Sequence, residues 1–182
     1  MTETWLRPNR RVLLLAAFPV AAIGAAGGAI MGSGWGWWAW ALGGSVSIGA
    51  GWAMLLLAIQ MFRPRISFNG EEVCFHLGSI KPHAVPLRHV EAFFLGQSPS
   101  GVPEAPGKQG EAVNLIARLS RKAPEWESQA VKPALGRWCD GYVTIRGAWC
   151  EPLSGATVGR LNRRLAELSR AAKEEPDARV EA

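Results

Sequence analysis

The sequence predicts a membrane-spanning α-helical hairpin followed by an α+β domain, and three observations predict it. Val12–Ile30 and Trp37–Phe62 are long apolar runs without a charged side chain. From Ile66 to about Cys150 the apolar residues alternate with a period of two, and beyond Gly155 they recur at three- and four-residue spacing. About twenty apolar residues at 1.5 Å rise cross the ~30 Å hydrocarbon layer, where the backbone must satisfy its own hydrogen bonds, so each apolar run is read as a helix. The period of two reads as strands and the longer period as an amphipathic helix. The expected organisation is a flank over 1–11, the hairpin over 12–62 (helices 12–31 and 37–62), a domain over 63–175 and a disordered tail over 176–182.

The flank is basic, with Arg7, Arg10 and Arg11. It has the charge of a secretory leader, and Ala21–Ala26 has the small residues of a cleavage site. No polar segment follows, and a second apolar run begins almost at once, which favours a retained anchor over a cleaved leader and a secreted product. Arg63 and Arg65 follow the second run, while the connecting Met31–Gly36 carries no charge. Basic flanks stay on the cytoplasmic side, so both termini are expected there. The same five residues, Arg7, Arg10, Arg11, Arg63 and Arg65, are candidate contacts for anionic lipid. The plainer account of them is a solvated, positive-inside anchor.

Trp35, Trp37, Trp38 and Trp40 cluster at the outer turn, where amphipathic rings sit at headgroup level, and Trp5 suits the inner side. Small residues recur every fourth position: Gly24, Gly28 and Gly32 in the first run, Gly43, Ser47 and Gly51 in the second. Such rows let helices approach closely, either within the hairpin or against a second copy or another membrane protein. Pro19 is expected to kink the first helix. No ionisable residue lies in either span, which argues against an ion or proton path.

In the domain, Ile66-Ser67-Phe68 leads to Asn69-Gly70, a favoured two-residue hairpin turn. Val73, Phe75 and Leu77 then share one face, and Cys74 and His76 the other. After the proline-punctuated 81–86 segment, Leu87–Leu95 reads as a strand offering Val90, Phe93 and Phe94 to the core. Gly96–Gly110, rich in Gly and Pro, reads as a mobile loop. Ala112–Leu119 is a strand with Val113, Leu115, Ala117 and Leu119 on one face. Pro124–Arg137 has no clear pattern, and Tyr142–Ile145 closes the β part. Val158, Leu161, Leu165, Leu168 and Ala172 form one stripe of a helix over about Gly155–Lys173, with Ser154 or Thr157 at its start and Pro176 after its end.

A transmembrane pair, then Ile66-Ser-Phe-Asn-Gly-Glu-Glu-Val-Cys-Phe75, then Val85-Pro-Leu-Arg-His-Val-Glu91, resembles bacterial membrane proteins that carry a pleckstrin-homology-like (PH-like) domain. Val85, Pro86 and Val90 match the segment that opens a strand in that family, and Thr157–Ala172 is similar to the helix that plugs the open end of its barrel. The resemblance implies a strongly bent antiparallel sheet or barrel with a C-terminal amphipathic helix. It also implies a membrane-anchored, non-enzymatic module in a bacterial inner membrane. The first hairpin turn, Asn69-Gly70-Glu71-Glu72, is acidic and would repel the phosphates that eukaryotic PH domains bind there.

The 182 residues carry a formal net charge of +5, but no stretch joins dense Lys/Arg to interleaved aromatics, so nucleic acid is not an expected partner. Three cysteines are too few and too odd for a secreted disulfide framework. Cys74, His76, His83 and His89 invite a zinc site, but their spacing matches no ligand pattern. Trp126, Trp138 and Trp149 read as core or interface anchors. The expected role is a non-catalytic interaction or scaffold module contacting membrane lipid and a membrane protein or a second copy, with no metal, cofactor or catalytic residue. The alternative is a metal- or thiol-dependent enzyme using Cys74 and His76.

Overall fold

In a computed structural model of the chain, α1 (Arg10–Gly32) and α2 (Trp37–Phe62) form one compact unit, Pro8–Arg63. The structure describes residues 2–34, 36–78, 81–105 and 108–180, with side-chain surroundings described outside 99–105, 108–111 and 174–180; the expected interfacial Trp35 lies outside the described residues. α1 starts two residues earlier than its apolar run because Asn9 caps it, its side chain accepting a hydrogen bond from the Val12 amide at 3.4 Å. Both helices are long and apolar enough to cross a membrane, and only 11% and 6% of their most apolar stretches are buried. That exposure separates them from the core helices of a soluble domain, whose apolar faces are covered.

The second unit joins Met1–Arg7 to Pro64–Ala182. Its first sheet contains β1 (Glu3–Leu6), β2 (Ile66–Phe68), β3 (Glu72–Phe75) and β4 (His83–Pro86), antiparallel in that order. β1 is a correction to the expected organisation: part of the flank over 1–11 belongs to the domain. It pairs Glu3 with Phe68, Thr4 with Ser67 and Leu6 with Ile66, so an irregularity falls at Trp5. The extra residue places both Trp5 and Leu6 in the core, which strict alternation forbids.

The second sheet is ordered β5 (Val90–Ala105), β6 (Lys108–Leu119), β8 (Tyr142–Arg146), β7 (Gly136–Cys139). Here too the expectation is corrected, because the Gly/Pro-rich stretch after Gly96 continues as a long β5–β6 hairpin. Its prolines are tolerated because β5 is an edge strand, where a missing N–H costs no ladder bond. Pro99 and Pro103 flank its register shifts. The 124–137 stretch resolves into a short 3-10 turn, Pro124–Trp126, and a connection into β7. Three residues, Asn69 to Glu71, separate β2 from β3 instead of two, and Asn69 Oδ1 closes the turn by accepting from the amides of Glu71 (3.1 Å) and Glu72 (2.7 Å).

Residues of both sheets and of α3 (Gly155–Val180) share one hydrophobic core. Val73, Phe75, Leu77, Phe93, Leu115, Ala117, Val143 and Ile145 are fully buried, and Leu161 and Leu165 supply the stripe of α3. Phe94, the neighbour of Phe93, points outward and is 45% exposed, and Val113 is also exposed. Ser154 caps α3, its Oγ accepting from the Thr157 amide at 3.3 Å. The helix runs past Lys173 and Pro176 to Val180, since a proline removes one helical bond without forbidding the turns on either side. The described strands make two antiparallel sheets that do not close into a barrel, an α+β layout.

Candidate functional site

Within the hairpin, the helices meet on small residues, but the contact row differs from the one that four-residue spacing picks out. A Cβ on Gly27 would lie 2.6 Å from Ser47 Oγ and 2.9 Å from the Gly43 carbonyl oxygen. A Cβ on Gly43 would meet the Gly27 carbonyl and lie 2.6 Å from Met31 Cγ, and one on Gly24 would lie 3.2 Å from Ala50 Cβ. Ser47 Oγ donates to the Gly24 carbonyl at 3.3 Å. Gly24, Gly43 and Ser47 are therefore in the contact, joined by Gly27 and Ala50, whereas Gly28, Gly32 and Gly51 face open space. At 100° per residue, a strict four-residue row drifts around the helix by about 40° per step, while alternating steps of three and four stay on one face.

Of the five candidate lipid-contacting arginines, Arg7, Arg10 and Arg11 are exposed and Arg63 is half-buried. Arg65 is a correction, with 1% of its surface exposed. Its Nε donates to the Trp149 carbonyl at 3.1 Å, its amide donates to Leu6 O at 2.8 Å, and its carbonyl accepts from the His76 amide at 3.0 Å. Arg65 thus ties β1, β2 and the segment before α3 together and presents no charge to a lipid surface. The Arg7 carbonyl, accepting from the Glu151 amide at 2.9 Å, makes a second tie to the same segment.

Cys74 and His76 share the face of β3 opposite the core. Ser67 of β2 lies beside them, its Oγ 2.9 Å from His76 Nε2. Burial pushes the Cys74 thiol up, with the Glu72 charge adding to the shift, so it is held neutral rather than activated. Burial raises Cys150 further, to about 12, and its Sγ donates to the Arg146 carbonyl at 3.5 Å. His83 stands edge-on to Trp138 at 5.3 Å, and His89 Nε2 accepts from Arg88 Nε at 3.1 Å. Cys74, His76, His83 and His89 do not converge on one site, and among the described residues no three His, Cys, Asp or Glu side chains are placed to hold a metal ion. The three cysteines are free.

The feature that sequence reasoning misses joins the two ends of the chain. α3 lies against β5, where Asn162 Oδ1 accepts from the Phe93 amide at 2.8 Å and Nδ2 donates to the Phe93 carbonyl at 2.9 Å, covering part of that sheet edge. Arg164 forks onto the Glu3 carboxylate of β1, with Nε 3.0 Å from Oε1 and Nη2 2.9 Å from Oε2, and reaches Glu167 at 3.1 Å. Its guanidinium holds the Glu3 carboxyl below the usual carboxylate range, against a smaller opposing effect of burial. Between β1 and α3 is a cleft of about 220 Å³ lined by Glu3, Trp5, Arg160, Arg163, Arg164 and Glu167, among others. Arginine at three- and four-residue spacing on α3 was visible in the sequence, but pairing with the distant residue 3 was not. In comparisons with known proteins, the chain matches no family model, no curated protein and no solved structure.

Proposed function

We propose that this chain is a membrane-anchored, non-catalytic interaction module. Its sheet domain is PH-like and held at the cytoplasmic face of a bacterial inner membrane, where it meets lipid and a membrane protein or a second copy. The observation that carries the reading is the pairing of β1 with β2 around the apolar hairpin. The chain leaves the sheet unit at Arg7, runs through two helices whose long apolar stretches are uncovered, and returns at Pro64. Two crossings bring residues 1–7 back to the side of the domain that they complete, so the sheet accounts for an even number of spans. The exposed Arg7, Arg10 and Arg11 favour the cytoplasm as that side. Cys74 and Cys150, held as neutral thiols, speak for a non-catalytic domain over a thiol enzyme.

Extraction and topology mapping test this. The full-length protein is expected to stay in the membrane fraction under alkaline carbonate. A fluorescent-protein fusion at the C-terminus is expected to fluoresce, and an alkaline phosphatase fusion after Gly34 to be active. Release by carbonate would remove the membrane anchor, and a phosphatase-active C-terminal fusion would reverse the orientation.

A further inference from the structure

We infer that the cleft between β1 and α3 is a binding site for a phosphate-bearing ligand. The lining carries three arginines against two glutamates. Arg160 is occupied by Glu151 at 2.7 Å, and Arg164 by Glu3 and Glu167. Arg163 is exposed and makes no ion pair or hydrogen bond among the described residues. The second observation is independent of charge. Trp5 is 3% exposed, and its indole nitrogen is the one buried side-chain polar atom among the described residues with no hydrogen-bond partner. It lies near enough to the Glu3 carboxylate to help lower its pKa, but the two make no well-formed hydrogen bond. Buried donors are almost always satisfied, so a buried donor without a well-formed bond in the wall of an arginine-lined cleft points to an acceptor from outside.

The acceptor this lining suits is a phosphate. Its several oxygens can take the indole N–H and a guanidinium fork together, and charge-assisted bonds of this kind are the strong ones. The volume admits a phosphate and a short stem. Glu3 is the internal competitor, a carboxylate already seated on Arg164 beside the indole. The site stands independently of the membrane reading, because every lining residue belongs to the sheet unit.

The test uses full-length protein in nanodiscs of zwitterionic lipid, titrated with inorganic phosphate and followed by the Trp5 indole ¹H–¹⁵N resonance. With nine tryptophans in the chain, bulk fluorescence does not isolate this ring, and Trp5→Phe identifies its signal. The expected result is a saturable shift of that signal. Arg163→Gln, an exposed change that leaves the fold intact, is expected to weaken binding about tenfold. Glu3→Gln, which frees Arg164, is expected to tighten it, whereas a purely structural Glu3 would give no gain. Arg170→Gln, on an exposed position of α3 outside the cleft, is the control. A second set of nanodiscs containing phosphatidic acid separates the sources: a shift without added phosphate assigns a lipid headgroup, and a shift only with phosphate assigns a soluble ligand. No shift in either, or a shift that Arg163→Gln leaves unchanged, overturns the proposal.

Discussion

At the scale of the residue, burial sets the chemistry of the thiols and therefore a pH dependence. Cys150 is raised from its ordinary 9.0 to about 12 by desolvation. The folded chain keeps this proton where the unfolded chain loses it, so the stabilisation is complete below pH 9 and is lost as pH rises toward 12. Three pH units correspond to about 4 kcal/mol at most. Urea unfolding at rising pH should show that decline, and Cys150→Ala should flatten it; an unchanged slope would place the thiol in a wetter environment. Glu3 acts at the other end, with a lowered pKa whose contribution is present above 4.5 and lost as pH falls through the folded value. The same burial predicts labelling by iodoacetamide: half-buried Cys139 reacts in the folded protein, and buried Cys74 and Cys150 react only after unfolding. Arg65 shows why such environments escape a reading of sequence. An arginine three residues beyond an apolar run reads as a membrane flank, and only the fold reveals Leu6 O, the His76 amide and Trp149 O around it.

At the scale of the element, the helix hairpin depends on which glycines meet. Gly24→Cys and Ala50→Cys, made with the native cysteines replaced, should cross-link readily, because their Cβ positions lie 3.2 Å apart, close to disulfide range. Adding Gly43→Leu should abolish the cross-link, and Gly28→Leu or Gly51→Leu should leave it intact; equal effects from all three would mean the contact face is elsewhere. The small-residue character of both helices was legible in the sequence, as were the faces of β3, β6 and α3, because each follows from a local period. The β5–β6 hairpin was not, since its prolines are permitted only by the edge position that the rest of the sheet confers. Asn162 belongs to the same class, an unremarkable polar residue until α3 lies across Phe93. Asn162→Ala should cost about 2 kcal/mol, by leaving two backbone groups without their partner, and should raise aggregation by opening a strand edge. Unchanged thermal stability with no gain in aggregation would show that water replaces the side chain fully.

At the scale of the whole molecule, the sheet unit is completed by residues that precede the hairpin. Trp5 stacks on Phe68 of the first sheet at 5.5 Å and meets Phe93 of the second edge-on at 6.3 Å, so one residue of β1 bridges both sheets. Leu6 is fully buried beside it, and Arg164 holds Glu3 from the far end of the chain. Truncating a buried Trp or Leu typically costs about 2–5 kcal/mol, against about 5–15 kcal/mol for the stability of a whole domain. Deleting residues 1–7 removes both side chains and strips the edge from β2, which should bring the sheet unit to the margin of folding. The helices are untouched, so the truncated chain should still enter the membrane while its domain becomes sensitive to limited proteolysis. A synthetic peptide spanning residues 2–8, added in trans, should restore protection by adding the missing strand, and the same peptide with Trp5→Ala and Leu6→Ala should not. Thr4→Ala in the full chain, at an exposed position of the same strand, should leave protection unchanged. If the truncated domain resists protease as well as the full chain, β1 is an ornament on a sheet that folds without it, and the hairpin need not return the chain to its starting side.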